Sequence, residues 1–144
     1  MPELNTHFTD LVIERLEAHS IPFEVIDKES GGVNLQIKGS DNAVKYLTVE
    51  PLDLTQQRFL KIHKTNFPHE QAQNLWIALI LTMDDMKPVI YLIPITVFET
   101  ETQIFKNHDI EPHTFASNWE IRVFTNGIQE LCQYALEHQI KHLI

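Results

Sequence analysis

Residues 31–50 read GGVNLQIKGSDNAVKYLTVE, and their alternation decides the fold class. Two short apolar-alternating runs, Val33–Lys38 and Val44–Glu50, are separated by Gly39-Ser40-Asp41-Asn42, four residues of strong turn chemistry. That pattern predicts a β-hairpin with a lysine close to its bend. Working back from it, Gly31-Gly32 predicts a turn, and Phe23–Asp27 predicts a preceding strand with Phe23 and Val25 inward against Glu24 and Ile26. Three strands so close in sequence form an antiparallel meander. Before them, Leu4, Phe8, Leu11, Val12 and Leu16 recur at helical spacing among Glu3, Asp10, Glu14, Arg15 and Glu17, an amphipathic helix that Ser20 and Pro22 end.

Beyond the hairpin, Pro51 is expected to close the third strand. Asp53 to Lys64 reads as a helix, with Asp53 and Gln56 in capping-box spacing, and Thr65 to Asn74 as a loop. Leu75 to Met83 is almost continuously apolar, which suits a strand buried on both faces. Asp84–Lys87 makes a tight connection into a second apolar strand, Pro88–Pro94. Glu99 to Asn118 reads as a long connection anchored by Ile104, Phe105 and Phe115, followed by an alternating strand, Trp119–Phe124. A last helix starts at Asn126, with Ile128, Leu131, Cys132, Ala135 and Leu136 as its buried stripe. The fold class expected is α+β or mixed α/β: an N-terminal helix, a three-strand meander, and a central mixed sheet flanked by helices.

Composition bounds the rest. A chain of 144 residues with 43% hydrophobic and 22% charged residues fits one globular domain spanning 1–144. Its net charge of -9 repels phosphate backbones at long range, so nucleic-acid binding needs a metal ion or a local basic patch to reverse it. The single cysteine, Cys132, excludes an intramolecular disulfide and reads as a buried thiol in a reducing compartment. MPELNTHFTD carries no basic-then-apolar leader, and the longest apolar run is far short of the roughly 20 residues a bilayer needs, so a soluble, cytoplasmic protein with no membrane partner is expected.

Val33-Asn34-Leu35-Gln36-Ile37-Lys38, Tyr91-Leu92-Ile93-Pro94 and Asn118-Trp119-Glu120-Ile121, on a helix, meander, helix, apolar-strand order, resemble the restriction-endonuclease-like superfamily, the PD-(D/E)XK nucleases, in its small bacterial members. The resemblance implies a site built of Asp27, Gln36 and Lys38. Asp27 and Gln36 would be Mg²⁺ or Mn²⁺ ligands, and Lys38 would help orient or deprotonate the attacking water. Gln36 and Lys38 differ by two positions and so share a strand face. Glutamine in place of the family's acid brings no negative charge, which weakens metal affinity. A second register, with Asn34, Thr48 and Glu50 in the three motif positions, departs from the pattern at each of them and implies a dead site.

Two function classes follow. One is a metal-dependent nuclease of DNA processing or defence, with nucleic acid as partner only if the metal site is live. The other is a catalytically degenerate accessory or interaction protein with a protein partner, or a homodimer, that meets its acidic surface. Apolar Ile140, Leu143 and Ile144 dock either on the chain's own core or on a second copy. His138 and His142, four apart, share a helix face, but no further ligand pattern accompanies them, and histidines also suit a helix C-terminus. Four glycines in the whole chain leave no phosphate-binding loop, and no serine or cysteine stands where a nucleophile is expected.

Overall fold

The computed structural model describes residues 2–26, 32–39, 43–110 and 116–143. Among them are four α-helices and eight strands, the strands forming a mixed five-stranded sheet and an antiparallel three-stranded sheet. This is the mixed α+β architecture the alternation implies.

Helix α1, Pro2–Ala18, buries Phe8, Val12 and Leu16, one residue per turn, and ends where Ser20 takes a left-handed φ of 58°. Strands β1 (Glu24–Val25), β2 (Leu35–Lys38) and β3 (Val44–Asp53) form the meander, paired antiparallel with Lys38 opposite Val44. Next to β3, and parallel to it, lies β5 (Leu75–Thr82), and antiparallel β6 (Val89–Pro94) completes the order β1-β2-β3-β5-β6. The second sheet orders β4 (Phe59–His63), β8 (Asn118–Arg122) and β7 (Phe105–His108).

β5 is buried from Leu75 to Leu81 because each of its faces meets a different layer. Leu75, Ile77, Leu79 and Leu81 pack with Ile62, Phe105, Trp119 and Ile121 of the second sheet. Trp76, Ala78 and Ile80 pack with Phe8, Val12 and Leu16 of α1 and with Leu136, Ile140 and Leu143 of the C-terminal segment. That places Ile140 and Leu143 on the chain's own core, so they no longer argue for a second copy. An Arg15–Glu137 ion pair ties α1 to the same segment.

Several expectations need correction. Pro51 does not close β3, which runs on to Asp53. The N–H groups of Tyr46 and Leu54 point to β5, while that of Val49 points the other way, to the Asn34 side chain. By alternation the missing N–H of Pro51 falls on that second side, past the last β2 pairing at Leu47, where no ladder bond is lost. Asp53–Lys64 is not a helix: Thr55 N–H donates to Asp53 Oδ1 in a tight turn, and β4 follows with Leu60 and Ile62 inward. Within 65–74, Pro68 precedes a single helical turn, α2 (His69–Ala72).

The stretch from Glu99 to Asn118 is less irregular than its polarity implies, because Phe105–His108 is a strand on β8; Ile104 and Phe105 anchor as expected, and Phe115 lies outside the described residues. The last helix breaks into α3 (Ile128–Cys132) and α4 (Leu136–Gln139), since Ala135 goes extended to bridge Tyr91. Cys132 is exposed, not in the core, and Ile128 is 38% exposed, while Leu131 of the same turn is buried. Val25, expected inward, is 62% exposed, as β1 is only two residues long and lies at the sheet edge. No helix among the described residues is long and apolar enough to cross a membrane.

Candidate functional site

Leu35 and Ile37 are wholly buried against the α1 layer, so strand alternation sends Gln36 and Lys38 to the opposite face. Lys38 is exposed and Gln36 half-buried. The antiparallel register then sets Glu24 directly opposite Gln36 on β1 and Tyr46 opposite it on β3. Glu24, Gln36 and Lys38 line a shallow pocket with Pro22 and Phe23. The structure thus brings together two of the three residues singled out in the sequence and adds an acid that sequence reasoning passed over. The signal for Glu24 was present: in an inward-outward strand reading it is the outward residue of β1, and it precedes Gln36 by a hairpin's length. Asp27, three residues beyond Glu24, lies outside the described residues.

The donor set is sparse. One carboxylate and one amide oxygen face a lysine, and among the described residues no three His, Cys, Asp or Glu side chains cluster as metal ligands. His138 and His142 are both exposed and belong to no such cluster. In the second register, Asn34 Oδ1 accepts the Val49 N–H at 2.8 Å, and buried Thr48 donates its hydroxyl to Glu50 Oε1 at 2.7 Å. The first bond ties β3 to the start of β2 and the second lies within β3, a structural use of the residues.

A second polar cluster sits on the three-stranded sheet. Glu120, 6% exposed, accepts from His108 Nε2 at 2.7 Å and from Arg122 at 3.2 Å. Burial pushes this carboxyl up, but the hydrogen bonds and charges of Arg122 and His108 outweigh it and hold the group below its ordinary value. At the end of β4, Lys64 reaches Asn107 and Asp109 and lies 5.5 Å from the ring centroid of the inward-facing Trp119.

No protein-family model matches this chain, and no curated protein matches it at a significant level.

Proposed function

We propose that this chain is a nuclease-like, cytoplasmic protein of the restriction-endonuclease-like kind, with a phosphodiester-directed site that holds one carboxylate among the described residues, acting as an accessory or interaction protein in DNA processing or defence. The observation that carries the reading is the arrangement of Glu24, Gln36 and Lys38: an acid and an amide on adjacent strands in register, and a lysine two residues on, on the same face. The order β1-β2-β3-β5-β6 with β3 parallel to β5, and the placement of Tyr91–Pro94 on β6 and Asn118–Ile121 on β8, support the resemblance. β4 and the one-turn α2, where the resemblance implies a full helix between the third and fourth strands, depart from it.

Mg²⁺ demands octahedral oxygen coordination and usually keeps several waters. Glu24 and Gln36 would supply two oxygens and a single negative charge, leaving the rest to water and to a phosphate. A cation held that weakly polarises a phosphate poorly, although Lys38 stands where it could orient a water. An active nuclease is the alternative, and the position of Glu24 opposite Gln36 favours it to this extent: if Asp27 adds a second carboxylate, the constellation is complete.

Calorimetric titration of Mn²⁺ separates the two. The reduced site predicts millimolar binding in the wild type that is lost in Glu24→Ala, unchanged in Asp27→Ala and tightened at least roughly tenfold in Gln36→Glu, as a second carboxylate is restored. Tight 1:1 binding abolished by Asp27→Ala, with Mn²⁺-dependent cleavage of plasmid DNA, would establish the active enzyme instead. No binding by the wild type or by Gln36→Glu refutes the site.

A further inference from the structure

The outer face of the three-stranded sheet is ordered by its register into rows. Lys61 of β4 and Lys106 of β7 flank Glu120 of β8; in the next row Phe59 stands beside Arg122. On the other side, His63 and His108 flank Asn118. Leu60, Ile62, Phe105, Trp119 and Ile121 of the same strands point into the core, so these rows point outward. Phe59 is 46% exposed and the Arg122 side chain 47%, and Arg58, Lys61 and His63 are exposed as well.

Arg58, Lys61, Lys106 and Arg122 are four of the 11 lysines and arginines in the chain. The one carboxylate in the rows, Glu120, is already engaged by Arg122 and His108. The rows therefore set Lys61, Lys106 and Arg122 against Glu120, a charge of +2 on a chain of -9, and Arg58 adds a cation at the Phe59 end. Glu101 and Asp109 stand at the β7 rim, bonded to the Asn107 N–H and to Lys64. Solubility does not explain the cluster, because this chain has acids in excess and acids serve solubility better. At its Phe59 end the face has a concavity of about 300 Å³ lined by Arg58, Phe59, Glu120, Arg122, Val123 and Phe124.

We propose that this face binds single-stranded nucleic acid, with phosphates against Lys61, Lys106 and the two arginines and an unstacked base on Phe59. Lys61 and Lys106 stand about 10 Å apart across Glu120, and each lies about 8 Å diagonally from Arg122, close enough to act together on one backbone. The remote acids do not cancel them, since the Debye length is about 8 Å at physiological ionic strength. The exposed Phe59 ring selects a single strand over a duplex, whose bases are already stacked, and selects a nucleic acid over an acidic peptide, which has no base to stack. The binding does not pass through Glu24, Gln36 and Lys38, and so stands independently of the function proposed above.

Fluorescence anisotropy with labelled fifteen-residue oligo(dT) and oligo(U), in EDTA and above 100 mM salt, tests it. Three to four phosphate contacts predict a log–log salt slope of about -2 to -3, at about -0.7 per contact on a single strand. Lys61→Gln with Lys106→Gln should flatten that slope by about 1.4, whereas Lys87→Gln with Lys141→Gln, an equal change of charge elsewhere, should leave it unaltered. Phe59→Ala should weaken binding roughly 5- to 150-fold while far-UV circular dichroism stays native. Binding of either oligomer supports the proposal, and their ratio tells DNA from RNA. It is overturned by no binding, by equal affinity for a duplex of the same length, by equal losses in the two double variants, or by capture of poly-glutamate in place of either oligomer.

Discussion

Glu120→Gln isolates the electrostatics of the second sheet. The substitution keeps the shape of the side chain but removes the charge that His108 and Arg122 meet at 2.7 and 3.2 Å. Hydrogen bonds to a charged group contribute about 1.5–3 kcal/mol each, and exposure of the partners reduces this. With His108 at 35% and Arg122 at 47% side-chain exposure, the sum comes to about 2 kcal/mol at pH 7. For a chain of this size that lowers the melting temperature by about 4–8 °C. The pH dependence has a definite sign. The folded carboxyl lies below its ordinary value, so its contribution is complete above the unfolded glutamate value of about 4.3 and disappears as pH falls through the lower, folded one. Calorimetric melts of wild type and variant should differ at pH 7 and converge toward pH 3. A gap that persists unchanged at pH 3, or no gap at pH 7, refutes the reasoning. The same variant removes the carboxylate from the outer rows and should tighten oligonucleotide binding.

Gly32→Ala places a Cβ 2.0 Å from the Asn66 carbonyl oxygen and 2.7 Å from Phe67 Cδ1. Backbone cannot yield as a side chain tip can, so urea titration should show a loss of about 1–3 kcal/mol or more. Phe98→Ala empties a site 1% exposed whose ring meets Phe105 edge-on at 5.2 Å, and should cost about 3–5 kcal/mol by the same measurement. Cys132 is exposed, so Ellman's reagent should titrate one thiol in the native protein without denaturant; a thiol that reacts only after unfolding would place it in the core.

What the sequence displays well are elements whose burial repeats on one face. The hairpin, the two-faced β5 and α1 stand where their apolar patterns put them, because each apolar face meets one continuous layer, β5 having two such faces. β4 was legible and misread: Leu60 and Ile62 alternate with Lys61 and His63, but Asp53 and Gln56 at capping distance mimic a helix start, and the turn they make uses the same side-chain oxygen on a backbone N–H. Strand β7 was hidden for a different reason. Only Phe105 of its four residues is fully buried, so it has too few inward positions to show a period. The break at Ala135 answers to Tyr91, a partner distant in the chain, and no local rule in Asn126–Ile144 encodes it.

The two surfaces proposed for function differ in legibility by the same physics. Gln36 and Lys38 are two apart on one strand, so a local spacing exposes them, and Glu24 follows once the meander's register is known. The rows on the second sheet join residues from three strands that no window of sequence spans, and the register alone sets Lys61, Glu120 and Lys106 side by side. A net charge of -9 averages over that arrangement and points away from nucleic acid. Because screening acts over about 8 Å, a ligand meets the charges of the face it touches and not the sum over the chain. The acidic total then works as a filter: it weakens approach over acid-rich parts of the surface, and so favours docking along the three-stranded sheet over indiscriminate adhesion.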